Sequence, residues 1–225
     1  MLSAIIFDCD GVIADTEPLH LASFQKVLEE EGLSLSREEY FERFLALDDR
    51  GCFTKAFEEN GRELSAGALA ELIARKASYI EPVMKEHLRL FPGAAEFIRQ
   101  ASMIYPMAVA SGALRAEVEL ILSHGGVRDC FEVIVSAEDV SRSKPDPEPF
   151  LLARNLLSAA MGVNLQPQAC LVIEDSVHGV LAARRAGMHV LAVTNSYPEE
   201  ELTMADCVVD SLEGLPLSAL EAIFG

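Results

Sequence analysis

Short apolar segments alternate with amphipathic helical segments through most of this 225-residue chain, and the alternation limits the folds it can adopt. Segments of strand length are residues 4–7, 107–110, 133–135, 170–173 and 189–193, with 207–209 as a candidate edge strand. Predicted helices lie near residues 93–102, 114–123, 148–160 and 176–186. Strict alternation of this kind is typical of a parallel sheet with right-handed crossovers. We therefore predict an α/β fold with a Rossmann-like parallel sheet core and helices on both faces.

Residues 16–88 interrupt this pattern because they carry helical signals alone. Thr16 can cap a first helix, and residues 36–39 match a capping box. Ser65 is placed to cap a long helix that reaches the high eighties. Since the opening strand belongs with the later ones, the helical segment is an insertion. The predicted domains are a core of residues 1–15 and 89–225, and an inserted all-helical domain of residues 16–88.

Polar residues fall on apolar faces of the predicted helices in the insertion. His20 projects onto the same apolar face as Phe24. Lys76 lies near the centre of the apolar stripe on the long helix that Ser65 is predicted to cap. A core histidine usually has a satisfied hydrogen bond, and a lysine at such a position must snorkel, pair or face a cavity. Arg50 lies in a predicted polar loop, where a solvated charge is the ordinary expectation.

The charge balance narrows the possible partners. The chain has 36 acidic and 18 basic residues, a net charge of −18 that repels nucleic acid and anionic membranes. Asp8 breaks the apolar run at the N-terminus, so we expect neither a signal peptide nor a membrane span. The five cysteines are scattered and form no close pair, which favours a reducing, cytoplasmic location. The oligomeric state stays open.

Polar and charged residues follow the predicted strands at the points where the strands end. They are Asp8 and Asp10 after the first strand, Ser111 and Gly112 after the second, Lys144 shortly after the third, and Glu174 and Asp175 after the fourth. Each has an ordinary explanation as an acidic turn, a helix cap, a loop charge or a first-turn acid. Because the carboxyl ends of parallel strands share one edge, we expect these side chains to converge there.

The residue types in this set suit phosphoryl transfer. The carboxylates of Asp8 and Asp175 suit a hard cation such as Mg²⁺, which would offset the crowded negative charge and bind a phosphate oxygen. The hydroxyl of Ser111, the amide of Gly112 and the ammonium of Lys144 can hold the remaining phosphate oxygens. One acid can then attack phosphorus while its neighbour transfers protons.

Four sequence motifs together resemble those of the haloacid dehalogenase-like hydrolase superfamily, in the same order. They are Phe-Asp-Cys-Asp-Gly-Val at residues 7–12, Ala-Ser-Gly at 110–112, Ser-Lys-Pro-Asp-Pro at 143–147 and Ile-Glu-Asp-Ser at 173–176. The insertion resembles the small cap domain of the subgroup that contains phosphoglycolate phosphatase, sugar-phosphate phosphatases and β-phosphoglucomutase. The resemblance spans nearly the whole chain and implies a cap that closes over the site.

The resemblance also implies a role for each motif residue. Asp8 would attack the phosphate to form an aspartyl-phosphate, and Asp10 would protonate the leaving alkoxide and then activate water. Ser111 and Lys144 would bind the phosphoryl group. The implied Mg²⁺ ligands are Asp8, the main-chain carbonyl of Asp10 and Asp175, with Glu174 helping directly or through water. Asp10 also argues against dehalogenase activity, because dehalogenating members lack an acid at this place.

Residues of the insertion are implied to contact substrate. His20, Arg50 and Lys76 resemble the histidine, arginine and lysine that β-phosphoglucomutase-like members place near it. Residues 111–115 depart from the mutase pattern, which has a small residue and then Ser-Lys-Asn after the motif serine. The departure puts the mutase's sugar-hydroxyl contacts in doubt and leaves Arg115 as either a substrate contact or an ordinary surface residue.

We therefore expect a Mg²⁺-dependent phosphatase that acts on a small phosphorylated metabolite, a sugar phosphate. The first alternative is a β-phosphoglucomutase-like mutase that uses the same Asp8. A phosphonatase would need Lys55 or Lys76 as a Schiff-base lysine. From a different class, a catalytically idle binding protein on the same fold is the remaining alternative, although every motif residue is intact.

Overall fold

The computed structural model describes residues 1–224, which fold as two compact units. The core unit comprises Met1–Asp15 and the chain from Arg89 onward, and the helical unit comprises Thr16–Leu88. Each unit has an apolar cluster of its own. Within residues 1–224, no helix combines the length and the apolar character needed to cross a membrane.

A sheet of six strands forms the centre of the core unit, and all its neighbouring strands are parallel. The strands are β1 (Ala4–Phe7), β2 (Met107–Ala110), β3 (Val133–Val135), β4 (Cys170–Glu174), β5 (His189–Val193) and β6 (Cys207–Val209). Their order is β3-β2-β1-β4-β5-β6, so β1 is central and fully buried. Phe7 aligns with Val109 of β2 and Ile173 of β4, which brings three strand ends to one edge. The predicted parallel α/β sheet is confirmed.

The helical unit contains the first helices of the chain. They are α1 (Glu17–Glu30), α2 (Arg37–Glu39), α3 (Asp49–Glu59) and α4 (Ala66–His87), with π-helical residues Tyr40–Phe44 continuing α2. The capping box is confirmed, because the Ser36 hydroxyl accepts from the Glu39 amide and the Glu39 carboxylate accepts from the Ser36 amide. Ser65 caps α4 by accepting from the Ala68 amide at 3.2 Å.

The predicted side-chain cap by Thr16 is wrong. Thr16 occupies the position before α1, but its side chain makes no capping hydrogen bond. Its backbone lies in the helical region, with φ −102° and ψ −14°. A side chain that caps a helix normally belongs to a residue with extended backbone, from which its oxygen reaches back to the first-turn amides.

Apolar faces of these helices meet in the centre of the helical unit. Phe24 of α1 packs edge-on against Phe53 of α3, with ring centroids 5.2 Å apart. Leu72 of α4 joins the same cluster, and Ile80 and Met84 of α4 are fully buried. The apolar periodicity of α4 therefore marks its buried face.

The core helices are α5 (Ala94–Ser102), α6 (Arg115–His124), α7 (Glu148–Met161), α8 (Val177–Arg185) and α9 (Ser218–Ala222). Ile6 of β1 shares an apolar cluster with Phe150 of α7 and Val180 of α8. The next residue, Phe7, packs edge-on against Phe97 of α5 at a centroid distance of 6.3 Å. Because successive residues of a strand point to opposite faces, these contacts place helices on both faces of the sheet, as predicted.

Candidate active site

Lys144 joins the loops that follow two central strands. Its Nζ donates to Asp8 Oδ1 at 2.7 Å and to Glu174 Oε1 at 2.7 Å, although Asp8 lies 136 positions away in the sequence. The Asp8 amide also donates to the Ile173 carbonyl at 2.9 Å, which ties the loop after β1 to β4. The structure thus brings together charges that the strand ends carry separately along the chain.

Three carboxylates at this edge form a potential metal site. Asp8, Glu174 and Asp175 each offer one oxygen, and these oxygens all lie within 4.8 Å of one another. The residues are 7%, 0% and 3% exposed. Buried carboxylates this close repel one another, and the Lys144 ammonium pairs with two of them, Asp8 and Glu174. Hard oxygen donors with surplus negative charge fit Mg²⁺.

Glu174 is fixed on both of its oxygens. Its Oε2 accepts from the amides of Asp175 and Ser176, each at 2.8 Å, and from the Ser176 hydroxyl at 2.9 Å, while Oε1 pairs with Lys144. Gly179 makes room for this carboxylate, because a Cβ at that position would overlap the Glu174 side chain. The arrangement holds Glu174 as a rigid acceptor behind Asp8 and Lys144.

Burial and charge set the ionisation of the central pair. Burial raises the pKa of Asp8 to about 7; Lys144 opposes this shift, whereas Glu174 and Asp10 add to it. Burial alone would lower the pKa of Lys144, but the carboxylates of Asp8 and Glu174 outweigh it and raise that pKa above its ordinary value. Lys144 therefore stays an ammonium, while Asp8 can lose its proton near neutral pH.

Asp10 accepts a hydrogen bond from the residue that follows β2. The Ser111 hydroxyl donates to Asp10 Oδ2 at 3.1 Å and accepts from the Ala113 amide at 3.0 Å. Ser111 is buried, and its amide donates to the Val135 carbonyl at 3.0 Å. The serine therefore orients the second acid of the loop after β1, here called the first acid loop (residues 8–11).

Sequence reasoning missed Asn195 and Gly179 as residues that shape this site. Asn195 Nδ2 donates to the Gly11 carbonyl at 2.7 Å, and so joins the loop after β5 to the first acid loop. Gly11 has φ +79°, and a Cβ there would overlap the Asp175 carboxylate. The position of Asn195, two residues past a strand end, was an available signal. Gly179 near the start of α8 was another, since glycine inside a helix is costly.

Two predicted substrate contacts lie near the end of β2. The Arg115 guanidinium donates to the Ile134 carbonyl at 3.1 Å and to Asp139 Oδ2 at 2.5 Å. These contacts favour the alternative of a surface helix residue that braces the loop after β3. Gly112 is exposed beside the buried Ser111, and its contact with phosphate stays a prediction.

The helical unit contains a second polar cluster. Lys76 is fully buried, and its Nζ donates to His20 Nδ1 at 2.8 Å and to Asp49 Oδ1 at 2.5 Å. Lys76 therefore pairs and does not snorkel. The predicted loop position of Arg50 is wrong: Asp48 caps α3 at the Gly51 amide, which places Arg50 in the first turn of the helix, with its side chain exposed.

A parallel sheet that gathers buried acids and a lysine at the carboxyl ends of its strands defines an α/β enzyme. Over residues 5–193 the chain matches the family model described as haloacid dehalogenase-like hydrolase. The chain belongs to this hydrolase family.

Relatives and solved structures agree with that assignment. The chain is 30% identical to the protein CbbY of Rhodobacter capsulatus, over 97% of each chain. It is 32% identical to the fructose-1-phosphate phosphatase YqaB of Escherichia coli (strain K12), over 85% of this chain and 96% of that one. The structure of β-phosphoglucomutase from Clostridium difficile superposes with a TM-score of 0.86 at 26% identity, covering 100% of this chain and 97% of that one.

Proposed function

We propose that the protein is a Mg²⁺-dependent phosphatase that hydrolyses a small phosphorylated metabolite, a sugar phosphate, through an aspartyl-phosphate on Asp8. The observation that carries this proposal is the Asp8 carboxylate itself, buried beside the Lys144 ammonium at 2.7 Å. The name of the relative YqaB, a fructose-1-phosphate phosphatase, supports the same class of substrate.

Asp8 performs the first chemical step. Its carboxylate oxygen attacks phosphorus, so that a bond from Asp8 to phosphorus forms and the bond from phosphorus to the leaving alkoxide breaks. Lys144 and Ser111 neutralise and orient the phosphoryl oxygens, with the Gly112 amide as a further donor. The Asp8 pKa of about 7 is compatible with this role, because the carboxyl group is half ionised at pH 7 and mostly ionised above it.

Asp10 transfers the protons. It donates a proton to the departing alkoxide and later accepts one from the water that attacks phosphorus, which breaks the aspartyl-phosphate and restores Asp8. The Ser111 hydroxyl at 3.1 Å from Asp10 Oδ2 orients this acid. Asp8, Asp175 and Glu174, with the main-chain carbonyl of Asp10, would hold the cation. Bound Mg²⁺ supplies charge neutralisation and polarisation of a phosphate oxygen.

The second candidate is a β-phosphoglucomutase-like mutase, favoured by the similarity to a solved structure of that name. It would use the same aspartyl-phosphate but return the phosphoryl group to a sugar. A phosphonatase that uses Lys76 is disfavoured, because the ion pair of Lys76 with Asp49 stabilises the protonated amine, whereas Schiff-base formation needs the neutral one.

Phosphate release from a panel of sugar monophosphates, with Mg²⁺ and then with excess EDTA, tests the proposal. Wild-type protein should release phosphate without a bisphosphate primer, and Asp8→Asn should lower kcat by more than about a thousandfold. Asp129→Asn removes an exposed carboxylate from the core unit and serves as the matched control. Equal turnover by Asp8→Asn would refute the nucleophile. Primer-dependent isomerisation with little phosphate release would identify a mutase.

A further inference from the structure

Helix α6 begins directly after the segment that carries Ser111, and its first residue is held from outside the helix. The N-cap residue is Leu114, whose apolar side chain has no atom that can accept a hydrogen bond from the first turn. Helix α4, by contrast, is capped by its own Ser65. The acceptor for α6 comes from the loop after β3, here called the β3 loop (residues 136–139), where Glu138 Oε2 accepts from the Arg115 amide at 2.7 Å. The β3 loop therefore takes the place of a local cap.

The Arg115 side chain makes a second connection to the β3 loop. Its guanidinium donates to Asp139 Oδ2 at 2.5 Å and to the Ile134 carbonyl at 3.1 Å. The same Asp139 oxygen accepts from the amide and the hydroxyl of Ser136, at 2.8 Å and 2.7 Å, and Ser136 is fully buried. Burial alone would raise the pKa of Asp139, but the hydrogen bonds from Ser136 and the charge of Arg115 lower it. Arg115 is thus tied to an ionised carboxylate that is itself fixed.

Hydrogen bonds continue this connection to Ser111. The Ala137 amide of the β3 loop donates to the Ala113 carbonyl at 3.0 Å, and the Ser111 amide donates to the Val135 carbonyl at 3.0 Å. The Ala113 amide donates to the Ser111 hydroxyl at 3.0 Å, and that hydroxyl donates to Asp10 Oδ2 at 3.1 Å. Ala113 lies between Ser111 and the first residue of α6, so the place at which α6 starts sets the position of the serine.

The contact from Ser111 to Asp10 is sensitive to such positioning. A serine hydroxyl carries one proton and rotates to suit its partners. Because the Ala113 amide donates to the hydroxyl oxygen, the proton is directed to Asp10 Oδ2. At 3.1 Å this contact is longer than the usual O–H···O distance of about 2.8 Å. A small displacement at the start of α6 is therefore enough to lose the hydrogen bond that orients Asp10.

We infer that Arg115 is a positioning residue for proton transfer: through its ion pair with Asp139 it holds Ser111 where the serine hydroxyl orients Asp10. The inference rests on the proposed function and deepens it. Arg115 acts through Ser111 and not by contact with substrate. Its effect is confined to the step in which Asp10 gives its proton to the leaving oxygen, as the bond from phosphorus to that oxygen breaks.

The leaving group of the ester tests this role. A sugar alkoxide needs a proton as it leaves, whereas p-nitrophenolate leaves without one. The ratio kcat/KM reports the steps up to departure of the leaving group, so later hydrolysis of the aspartyl-phosphate does not enter the comparison. In Arg115→Met we expect kcat/KM to fall about fivefold for fructose 1-phosphate, glucose 6-phosphate or ribose 5-phosphate, whichever the wild type hydrolyses, and by less than about twofold for p-nitrophenyl phosphate.

Variants of both partners and a matched control complete this experiment. Asp139→Asn should reproduce the selective loss, and the double variant should lose no more than Arg115→Met, because both substitutions break one ion pair. Arg128→Met is the control: Arg128 follows the other end of α6 and donates to Glu119 Oε2 at 2.6 Å and to the Phe131 carbonyl at 3.0 Å. Its side chain is 37% exposed, against 42% for Arg115. Ion pairs this exposed contribute little to stability, so all variants should fold, and the control should keep both kcat/KM values.

Hydrogen exchange followed by NMR measures the positioning without turnover. The Ala113 amide, which donates to the Ser111 hydroxyl, should exchange at least about threefold faster in Arg115→Met than in the wild type, because local opening of residues 111–114 becomes easier. Arg128→Met should leave this exchange rate unchanged.

The inference is overturned if kcat/KM falls equally for the sugar phosphate and p-nitrophenyl phosphate, or if it changes for neither. It is equally overturned if Arg115→Met leaves the exchange of the Ala113 amide unaltered. Failure of the proposed function has a different signature: the wild-type protein releases phosphate from no ester, and the exchange of the Ala113 amide then decides by itself whether Arg115 holds Ser111.

Discussion

Replacing Lys144 by methionine tests the charge balance of the candidate active site. Methionine keeps a long side chain but removes the ammonium that lies 2.7 Å from both Asp8 Oδ1 and Glu174 Oε1. The side chains of Lys144, Asp8 and Glu174 are 12%, 10% and 0% exposed, so water compensates little for the lost cation. Two acids then share a buried space without a counter-charge.

The expected loss of stability follows from that burial. Removing one partner of a buried ion pair costs about 3–5 kcal/mol. The lower end, about 3 kcal/mol, is expected here because Asp8 can take up a proton and relieve the repulsion. For a chain of this size that corresponds to a decrease in Tm of roughly 6–12 °C.

The loss should depend on pH. Asp8 has a raised pKa of about 7, so at pH 8 it is ionised and the pair with Lys144 is fully formed. At pH 5 Asp8 is protonated in the folded protein, and removing Lys144 costs less. Thermal and denaturant unfolding, followed by circular dichroism in EDTA at both pH values, measures the difference.

Arg142→Met is the matched control for this experiment. Arg142 also bridges two acids, Asp146 at 3.0 Å and Glu148 at 3.2 Å, but its side chain is 70% exposed. Exposed pairs contribute less than about 1 kcal/mol, so this variant should unfold almost like the wild type. The reasoning is refuted if Lys144→Met loses no more stability than Arg142→Met at pH 8, or loses the same amount at pH 5 and pH 8.

Three further predictions concern the same edge of the sheet. Asn195→Ala removes the hydrogen bond to the first acid loop and should lower kcat about tenfold with little change in KM; steady-state kinetics within twofold of wild type would contradict this. Gly179→Ala pushes a Cβ into the Glu174 carboxylate and should lower the free energy of unfolding, measured in urea, by about 1–3 kcal/mol. Gly67→Ala, in open space within α4, should raise the free energy of unfolding by about 0.5–1 kcal/mol. Equal changes in the Gly67→Ala and Gly179→Ala variants would refute the steric argument. Mg²⁺ should raise Tm more at pH 8 than at pH 5.5, because at the lower pH it must displace the Asp8 proton, and Asp8→Asn should remove that difference.

Much of the fold was predictable because its signals are local. The apolar runs that became β2, β3 and β5 are each followed directly by a polar residue, and their bounds in the structure equal the predicted ones. Ser36 and Ser65 cap helices through amides three residues away. Both kinds of signal are complete within a few residues, so they can be identified before the chain path is known. The prediction that the Thr16 side chain caps α1 was wrong because the backbone of Thr16 lies in the helical region. No sequence motif specifies that backbone conformation.

The sequence by itself determined which side chains follow the strand ends, and the parallel topology required those ends to share an edge. Only the tertiary structure decided the partner of each side chain. Asn195 donates a hydrogen bond to the carbonyl of a residue 184 positions away. Lys76 forms an ion pair with Asp49 rather than contacting water, and Arg115 forms one with Asp139. Partner choice depends on distances of a few ångströms between remote segments, and these distances are set by packing rather than by any local pattern.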